Sequence, residues 1–374
     1  MGAVMLIGIL KEVKSEENRV AMTPAGVEVL CHHGHRVVVE KNAGRASGFP
    51  DASYLTAGAQ IIHTAQSIYR QCDMVMHVKE PIASEYDWIR EHQIIFTYLH
   101  LAANKQLTKA LMKRKSVNIA YETIQTSEGA LPLLTPMSEV AGRMAIQQAA
   151  KYLEMIHGGR GVLLGGVPGV DPATVLILGG GTVGVNAAKM ACGLGAKVYL
   201  LDLSLERLRY LSNVMPPNCF LLFSSPQKVR EIIGVADVIV GAILIPGAKA
   251  PRLITRDMIK TMKKGAVIVD VAIDQGGCFE TSKPTTHADP IYTVDGVVHY
   301  CVTNMPGAVP KTSTWALSNA TLPYALEIAD KGWVRAMREN EEIRRGANIV
   351  NGKVTHQQVA EAFGLVYTPI DTFL

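Results

Sequence analysis

Gly179-Gly180-Gly181-Thr182-Val183-Gly184 carries the spacing G-x-G-x-x-G directly after the apolar run Val175-Leu176-Ile177-Leu178. At that spacing the first glycine allows a tight turn and the second lets the backbone approach a pyrophosphate. The third lets a helix pack on a strand, and the helix N-terminus attracts the phosphates. A helix fits residues 185–194, Gly195 ends it, and the next apolar run finishes at Asp202, 23 residues after Gly179. A carboxylate there accepts hydrogen bonds from a ribose hydroxyl and repels a 2′-phosphate. The stretch reads as a dinucleotide site that takes NAD in preference to NADP, with Gly179, Gly181, Thr182, Val183, Gly184 and Asp202 as its contacts.

Ligands of parallel sheets lie beyond the carboxyl ends of the strands. That rule adds Ser224, Ile243 and Leu244 as neighbours of the adenine ribose, and Val271, Ala272 and Ile273 as further cofactor contacts. Arg207, five residues past Asp202, is either an adenosine contact or a solvated helix charge. The same rule gathers Arg19 after the first strand, Lys79-Glu80-Pro81, Tyr98-Leu99-His100, Asp270 and Asp274, and Asn304-Met305. Cations, a histidine and carboxylates are thus expected to converge on one cleft from two domains. Arg19, as a two-pronged fork, and Lys79, as a point charge, would hold a substrate carboxylate. His100 would take a proton as a C–H hydride leaves for nicotinamide, and Asp274 would orient substrate, water or the histidine. Taken singly, Lys79 also reads as a surface charge, His100 as a cap and Asp274 as a turn residue.

The elements that must position these groups follow from the apolar pattern. Short Val/Ile/Leu runs at 5–9, 36–40, 74–78, 94–97 and 117–120 alternate with helical stretches, and a second series follows at 174–178, 197–201, 219–223, 238–241, 266–269 and 298–302. Near-continuous apolar runs suit strands buried on both faces. The fold class is therefore α/β, with two Rossmann-like domains of mainly parallel sheets. A long helix is expected over 138–157, with Ser138 and Glu139 at its start, and two more over 317–331 and 332–345. A C-terminal helical tail that packs back on the first sheet gives a discontinuous domain, 1–132 with 311–374, into which the NAD-binding domain 133–310 is inserted. The 374 residues suit two domains, and 48% hydrophobic against 19% charged residues excludes disorder. A formal charge of +4, well mixed along the chain, points away from nucleic acid or a membrane surface as partner. No apolar run reaches the ~18 residues of a spanning helix, and residues 1–10 lack a signal-peptide plan.

Several features compete for attention. The six cysteines lie 23 or more residues apart without a C-x-x-C, which favours reduced thiols in the cytoplasm over a disulfide framework or zinc. Cys31-His32-His33-Gly34-His35 invites a metal reading; the other reading is a helix C-terminus, and no nearby carboxylate completes a metal site. No metal is expected. Gly165-Gly166, between apolar runs, reads as the turn of a hairpin, the alternative being a phosphate loop that lacks the following Lys-Ser/Thr.

Beyond these motifs the chain resembles the alanine dehydrogenases over nearly its whole length. The likeness lies in Asn18-Arg19-Val20-Ala21-Met22-Thr23-Pro24, Val78-Lys79-Glu80-Pro81, residues 96–103, Ala120-Tyr121-Glu122-Thr123, residues 137–143, 158–170, 245–251 and 270–277, and Asn304-Met305-Pro306-Gly307. The resemblance implies reversible conversion of L-alanine, NAD and water to pyruvate, ammonium and NADH, through iminopyruvate and a carbinolamine. It implies Arg19 and Lys79 as the substrate-binding pair and His100 and Asp274 as the catalytic pair. Ser138, Asp202, Val302, Thr303, Asn304 and Met305 would be cofactor contacts. It also implies a homo-oligomer, commonly a hexamer. His77 stands where such enzymes often carry a further lysine; as a strand neighbour two residues from Lys79, it is expected to share its face. A soluble NAD(H)-binding part of a nicotinamide nucleotide transhydrogenase is a second reading, and a non-catalytic NAD module a third. The first of these requires membrane segments, and the second has no need of Arg19, Lys79, His100 and Asp274 together.

Overall fold

The computed structural model of the chain describes residues 4–243 and 251–374. It divides into two compact units, Met1–Met137 with Gly307–Leu374, and Ser138–Pro306. The first unit runs β1 (Leu6–Ile9), α1 (Pro24–His32), β2 (Arg36–Glu40), α2 (Asp51–Thr56), β3 (Gln60–Ile62), α3 (Ala65–Gln71), β4 (Met74–Met76), β5 (Ile94–Thr97), α4 (Lys105–Arg114) and β6 (Val117–Ala120). Helix α5 (Thr135–Tyr152) leads into the second unit: β7 (Thr174–Leu178), α6 (Thr182–Gly193), β8 (Lys197–Asp202), α7 (Leu205–Val214), β9 (Cys219–Phe223), α8 (Pro226–Ile233), β10 (Val238–Gly241), α9 (Arg256–Ile259), β11 (Val267–Asp270), β12 (Ile291–Val294) and β13 (Val297–Tyr300). The chain then returns through α10 (Pro310–Glu339), α11 (Glu341–Arg345), β14 (Ala347–Val350), β15 (Lys353–Val354) and α12 (Gln357–Phe363).

The first unit holds an eight-stranded sheet ordered β15-β14-β6-β5-β4-β1-β2-β3, and the second a seven-stranded sheet ordered β12-β13-β11-β10-β7-β8-β9. Pairing is parallel except where β14, β15 and β12 join. Every residue of β5, β6, β10 and β11 is buried, the condition their unbroken apolar character anticipates. Strand order reverses beside β1, between β2 and β4, and beside β7, between β8 and β10. Those reversals are the switch points at which open α/β sheets bind ligands.

The fold class is the α/β one expected, and each apolar run named above forms a strand. The four additional strands, β3, β12, β14 and β15, are short and lie at or next to the sheet edges. Helix α5 begins at Thr135, three residues before Ser138, because Pro136 lacks the N–H that a first helical turn leaves unpaired. It ends at Tyr152, and a separate short turn covers Met155–His157. Strand β4 stops at Met76, not at residue 78, because a side chain intercepts the next backbone N–H groups. Helix α10 starts at Pro310, ahead of the expected 317, and its helical path breaks at Gly332, with φ 72° and ψ 153°. The hairpin turn falls at Pro168-Gly169, not Gly165-Gly166: Val167 and Val170 pair across it, and Gly169, at φ 88°, takes the left-handed position.

In the second unit, α5 crosses α6 at a glycine. A Cβ on Gly142 would stand 2.2 Å from the Val183 carbonyl oxygen and 3.0 Å from Asn186 Cβ. Alanine gains about 1 kcal/mol of helix propensity over glycine, but overpacking costs about 1–3 kcal/mol and a backbone carbonyl cannot rotate away as a side chain can. We expect Gly142→Ala to lower stability by about 1–2 kcal/mol, read as a lower urea midpoint at unchanged m-value. A neutral or stabilised variant would refute the close approach.

Candidate functional site

In the first unit the loop after β1 carries Arg19, which is 3% exposed. Its main-chain N and Nε donate to Glu17 Oε1 at 3.1 and 2.7 Å, and Nη2 donates to Glu17 Oε2 at 2.5 Å. Nη1 points at Met137 Sδ, 3.0 Å away. Burial raises the Glu17 pKa, but the Arg19 hydrogen bonds and charge, reinforced by Lys79, reverse that and hold it at about 2. Lys79 is half-buried in the loop after β4, and its carbonyl accepts from Thr97 Oγ1 at 3.0 Å. The two cations thus share the field of one carboxylate.

After β5 the chain turns sharply at His100, whose φ is 47°. Glu122, just past β6, accepts from the Leu99 N–H at 3.2 Å and the His100 N–H at 2.6 Å, which holds that turn. The same carboxylate lies 3.9 Å from His100 Nδ1. The imidazole stacks on Tyr98, with centroids 5.9 Å apart and planes within 5°. The Tyr98 hydroxyl donates to the Leu133 carbonyl at 2.5 Å. Burial drives the Tyr98 pKa up; Arg19 works against that and Glu122 with it. His100 itself is half-exposed, at 51% of its side chain. Arg19, Lys79, Tyr98 and His100 therefore belong to one neighbourhood: two cations, a phenol and an imidazole.

His77 corrects one expectation. It is buried, not shared on a strand face with Lys79, because β4 has already ended. His33 and His35 both face Asp330 of α10, at 3.2 and 2.9 Å, so a carboxylate does reach them, from far along the chain. Among the described residues no group of three or more His, Cys, Asp or Glu side chains is arranged to hold a metal. None of the six cysteines is in a disulfide.

In the second unit the glycine turn after β7 has the shape a pyrophosphate needs. Gly179 takes φ 101°, and a Cβ on Gly184 would lie 1.8 Å from the Gly179 carbonyl oxygen, so α6 packs where only glycine fits. A Cβ on Gly181 would meet nothing within 4 Å, so protein packing does not demand that glycine; it leaves open space at the α6 N-terminus. Gly181 is also the N-cap and provides no side-chain cap, so the N–H groups of Thr182 and Val183 begin the helix without one. Asp202, at the end of β8, accepts from the Gly180 N–H at 2.6 Å and the Ser204 N–H at 2.8 Å. Arg207 is more than a solvated charge: its Nε donates to the Gly180 carbonyl at 2.7 Å. These residues fit a dinucleotide, with pyrophosphate at the α6 N-terminus and a ribose at Asp202.

The remaining candidates of this unit lie at strand ends. The half-buried Ser224 donates its N–H to the Asp202 carbonyl at 2.9 Å, and Ile243 Cγ1 stands 3.1 Å from where a Gly179 Cβ would be. Leu244 and residues 245–250 lie outside the described residues. Val271, Ala272, Ile273 and Asp274 form a short helical turn after β11, with Ala272 and Ile273 buried and Asp274 exposed. Asp270 caps that turn through the Ala272 N–H at 3.1 Å and also accepts from the Cys278 N–H at 2.9 Å and Ser282 Oγ at 2.5 Å. Burial outweighs these donors and lifts the Asp270 pKa to about 6. Val302 and Met305 are buried, Thr303 and Asn304 half-buried, and Asn304, at φ 58°, accepts from His287 Nε2 at 3.2 Å through its carbonyl. Ser138 lies half-buried near the start of α5.

Residues 8–141 match the profile described as alanine dehydrogenase/PNT, N-terminal domain, and residues 145–357 match its C-terminal domain. The chain belongs to the alanine dehydrogenase/PNT family. It is 54% identical to an alanine dehydrogenase of Methanococcus maripaludis, over 99% of this chain and all of that one. An alanine dehydrogenase of Halomonas elongata is 53% identical over 97% of this chain and 98% of that one. A solved L-alanine dehydrogenase structure superposes with a TM-score of 0.93 at 48% identity, covering 96% of this chain and 99% of that chain. A transhydrogenase from Sinorhizobium meliloti superposes at 0.81 with 25% identity, over 94% of this chain and 99% of that chain. This family member is an oxidoreductase, and among its described residues no helix is long and apolar enough to cross a membrane.

Glu17, Glu122 and Tyr98 were given no role by sequence reasoning, although the strand-end rule applied to β6 points at Glu122. The Glu17 carboxylate is held below its usual range, so its contribution to stability is present above about pH 4.5 and is lost as pH falls towards about 2. We expect Glu17→Gln to flatten the acid limb of stability over that window, relative to wild type, in denaturant titrations at stepped pH. An unchanged acid limb would contradict the ion pair.

Proposed function

We propose that this family member catalyses reversible oxidative deamination of L-alanine: L-alanine, NAD⁺ and water give pyruvate, ammonium, NADH and a proton. The observation that carries the reading is the gathering of Arg19 and Lys79 around Glu17, beside a His100 ring stacked on Tyr98. The full-length likeness to proteins named alanine dehydrogenase supports the choice of substrate. Of the two, the likeness to alanine dehydrogenases at about half identity outweighs the transhydrogenase likeness at 25%.

Arg19 and Lys79 bind the substrate carboxylate; Glu17 fixes the guanidinium plane before substrate arrives, which lowers the entropic cost of binding. His100 holds or moves the proton of the amino group and of the water that attacks the imine. Asp274 orients that water or the substrate ammonium. The turn 179–184 and Asp202 hold the nucleotide, with Ser138, Arg207, Ser224, Ile243, Leu244, residues 271–273 and 302–305 around it. When bound, the nicotinamide accepts or returns the hydride. Asp202 favours NAD, because a 2′-phosphate would bring negative charge against its carboxylate. Six unpaired thiols favour a reducing compartment, the cytoplasm. We further propose a homo-oligomer, a hexamer, on the strength of the family.

L-alanine with NAD should generate NADH absorbance, with NADP a poor substitute; a protein inert to alanine would sink the proposal. Serine, 2-aminobutyrate and glyoxylate assayed in parallel define breadth. His100→Ala should cut kcat at least 100-fold while leaving the NADH dissociation constant within about threefold; equal losses in both would make His100 structural. Asp202→Ala should weaken NAD binding and narrow the preference over NADP, and an unchanged preference would remove Asp202 from the ribose site.

A further inference from the structure

Deep in the first unit, three polar side chains that the reaction does not touch form a closed chain. His77 is 2% exposed, Glu12 8% and Tyr69 0%. The Tyr69 hydroxyl lies 2.9 Å from His77 Nε2, and His77 Nδ1 lies 3.3 Å from Glu12 Oε1. That same oxygen accepts the Val78 N–H at 2.6 Å and the Lys79 N–H at 3.4 Å. A neutral imidazole with its proton on Nδ1 satisfies every partner: the phenol donates to Nε2 and Nδ1–H donates to the carboxylate. Burial pulls the His77 pKa down, but Glu12, helped by Glu85 and Glu40, more than offsets it, and the net direction is up. The ring is therefore never a silent apolar filler.

We infer that His77 is a positioning residue for Lys79, acting through the Glu12 carboxylate that holds the Val78 and Lys79 backbone N–H groups. Strand β4 has ended at Met76, so no neighbouring strand fixes the 78–79 backbone through those N–H groups. Glu12 takes their place, and Glu12 is in turn aimed by Nδ1 of a ring clamped by Tyr69. The lysine side chain starts from that backbone, so rotation of the carboxylate shifts its ammonium. This inference rests on the proposed role of Lys79 in binding the substrate carboxylate.

Two substitutions separate the two ends of the imidazole. His77→Asn keeps an amide nitrogen near the Nδ1 position and loses the link to Tyr69. His77→Gln keeps a polar atom near Nε2 and loses the link to Glu12. For the full-length enzyme we expect the KM for pyruvate to rise about tenfold in His77→Gln, about the effect of one hydrogen bond to a charged group. His77→Asn should stay within about threefold of wild type. The NADH dissociation constant, read by fluorescence, should be unchanged in both. Equal KM values in the two variants, whether both raised or both normal, would overturn the inference, as would an Asn variant worse than the Gln one. Lys79→Ala is the control for the underlying reading: it should raise the pyruvate KM at least tenfold. An unchanged KM there removes Lys79 from the substrate site and the inference with it. A raised KM there, with no difference between the His77 variants, rejects the inference alone.

Discussion

Both sheets rest on the same constraint: at the carboxyl end of a parallel strand the backbone N–H groups run out of strand partners, and a buried or half-buried carboxylate takes them. Glu12 takes those of Val78 and Lys79 after β4, and Glu122 those of Leu99 and His100 after β5. Asp202 takes those of Gly180 and Ser204, and Asp270 those of Ala272 and Cys278. A buried N–H left unpaired costs about 1–3 kcal/mol, and a bond to an ionised acceptor is about twice as strong as a neutral one. Acidic residues are therefore the economical way to end these strands. Each one also fixes the backbone from which a candidate site residue projects: Lys79, His100, the glycine turn and Asp274.

Buried carboxylates in turn demand cations. Glu17 stays ionised in a site where burial opposes it because Arg19 supplies three hydrogen bonds and a charge, and Lys79 a further charge. Where no cation comes, the outcome differs: Asp270 has only neutral donors, and its pKa stays raised. The contrast explains why Arg19 and Lys79 are gathered around Glu17. A guanidinium and an ammonium drawn in by Glu17 support the proposed binding of a small zwitterion's carboxylate, whereas a chain with a formal charge of +4 offers no broad field for a polyanion.

Much of the frame was legible because parallel strands buried on both faces must be apolar throughout; β5, β6, β10 and β11 could hardly read otherwise. The glycine spacing then pointed to Asp202, and the strand-end rule to Lys79, His100 and Asp274, as positions. The edge strands escaped because β14 and β12 join antiparallel, and propensity alone does not distinguish such short runs from loop. Glu12 and Glu17 escaped for a different reason. Their importance lies in which backbone N–H or guanidinium they meet, and that is set by tertiary contact: Glu12 reaches residues 66 and 67 positions away. The hairpin turn was misplaced for want of weighing Pro168-Gly169, whose turn chemistry is the stronger local signal.

The strained positions complete the logic. His100 and Asn304 adopt φ of 47° and 58°, a left-handed conformation that costs a side-chain-bearing residue about 1–2 kcal/mol. Both follow strand ends, where a plain loop could have relaxed. At His100 the strain is over-determined: Glu122 holds the successive N–H groups of Leu99 and His100, and the ring stacks on Tyr98. A histidine placed by packing alone would settle into an ordinary rotamer on ordinary backbone. One that is kept strained, half-exposed and held by a carboxylate and an aromatic face has its nitrogens fixed in place, and that fixed placement is what supports the proton-transfer role proposed for it.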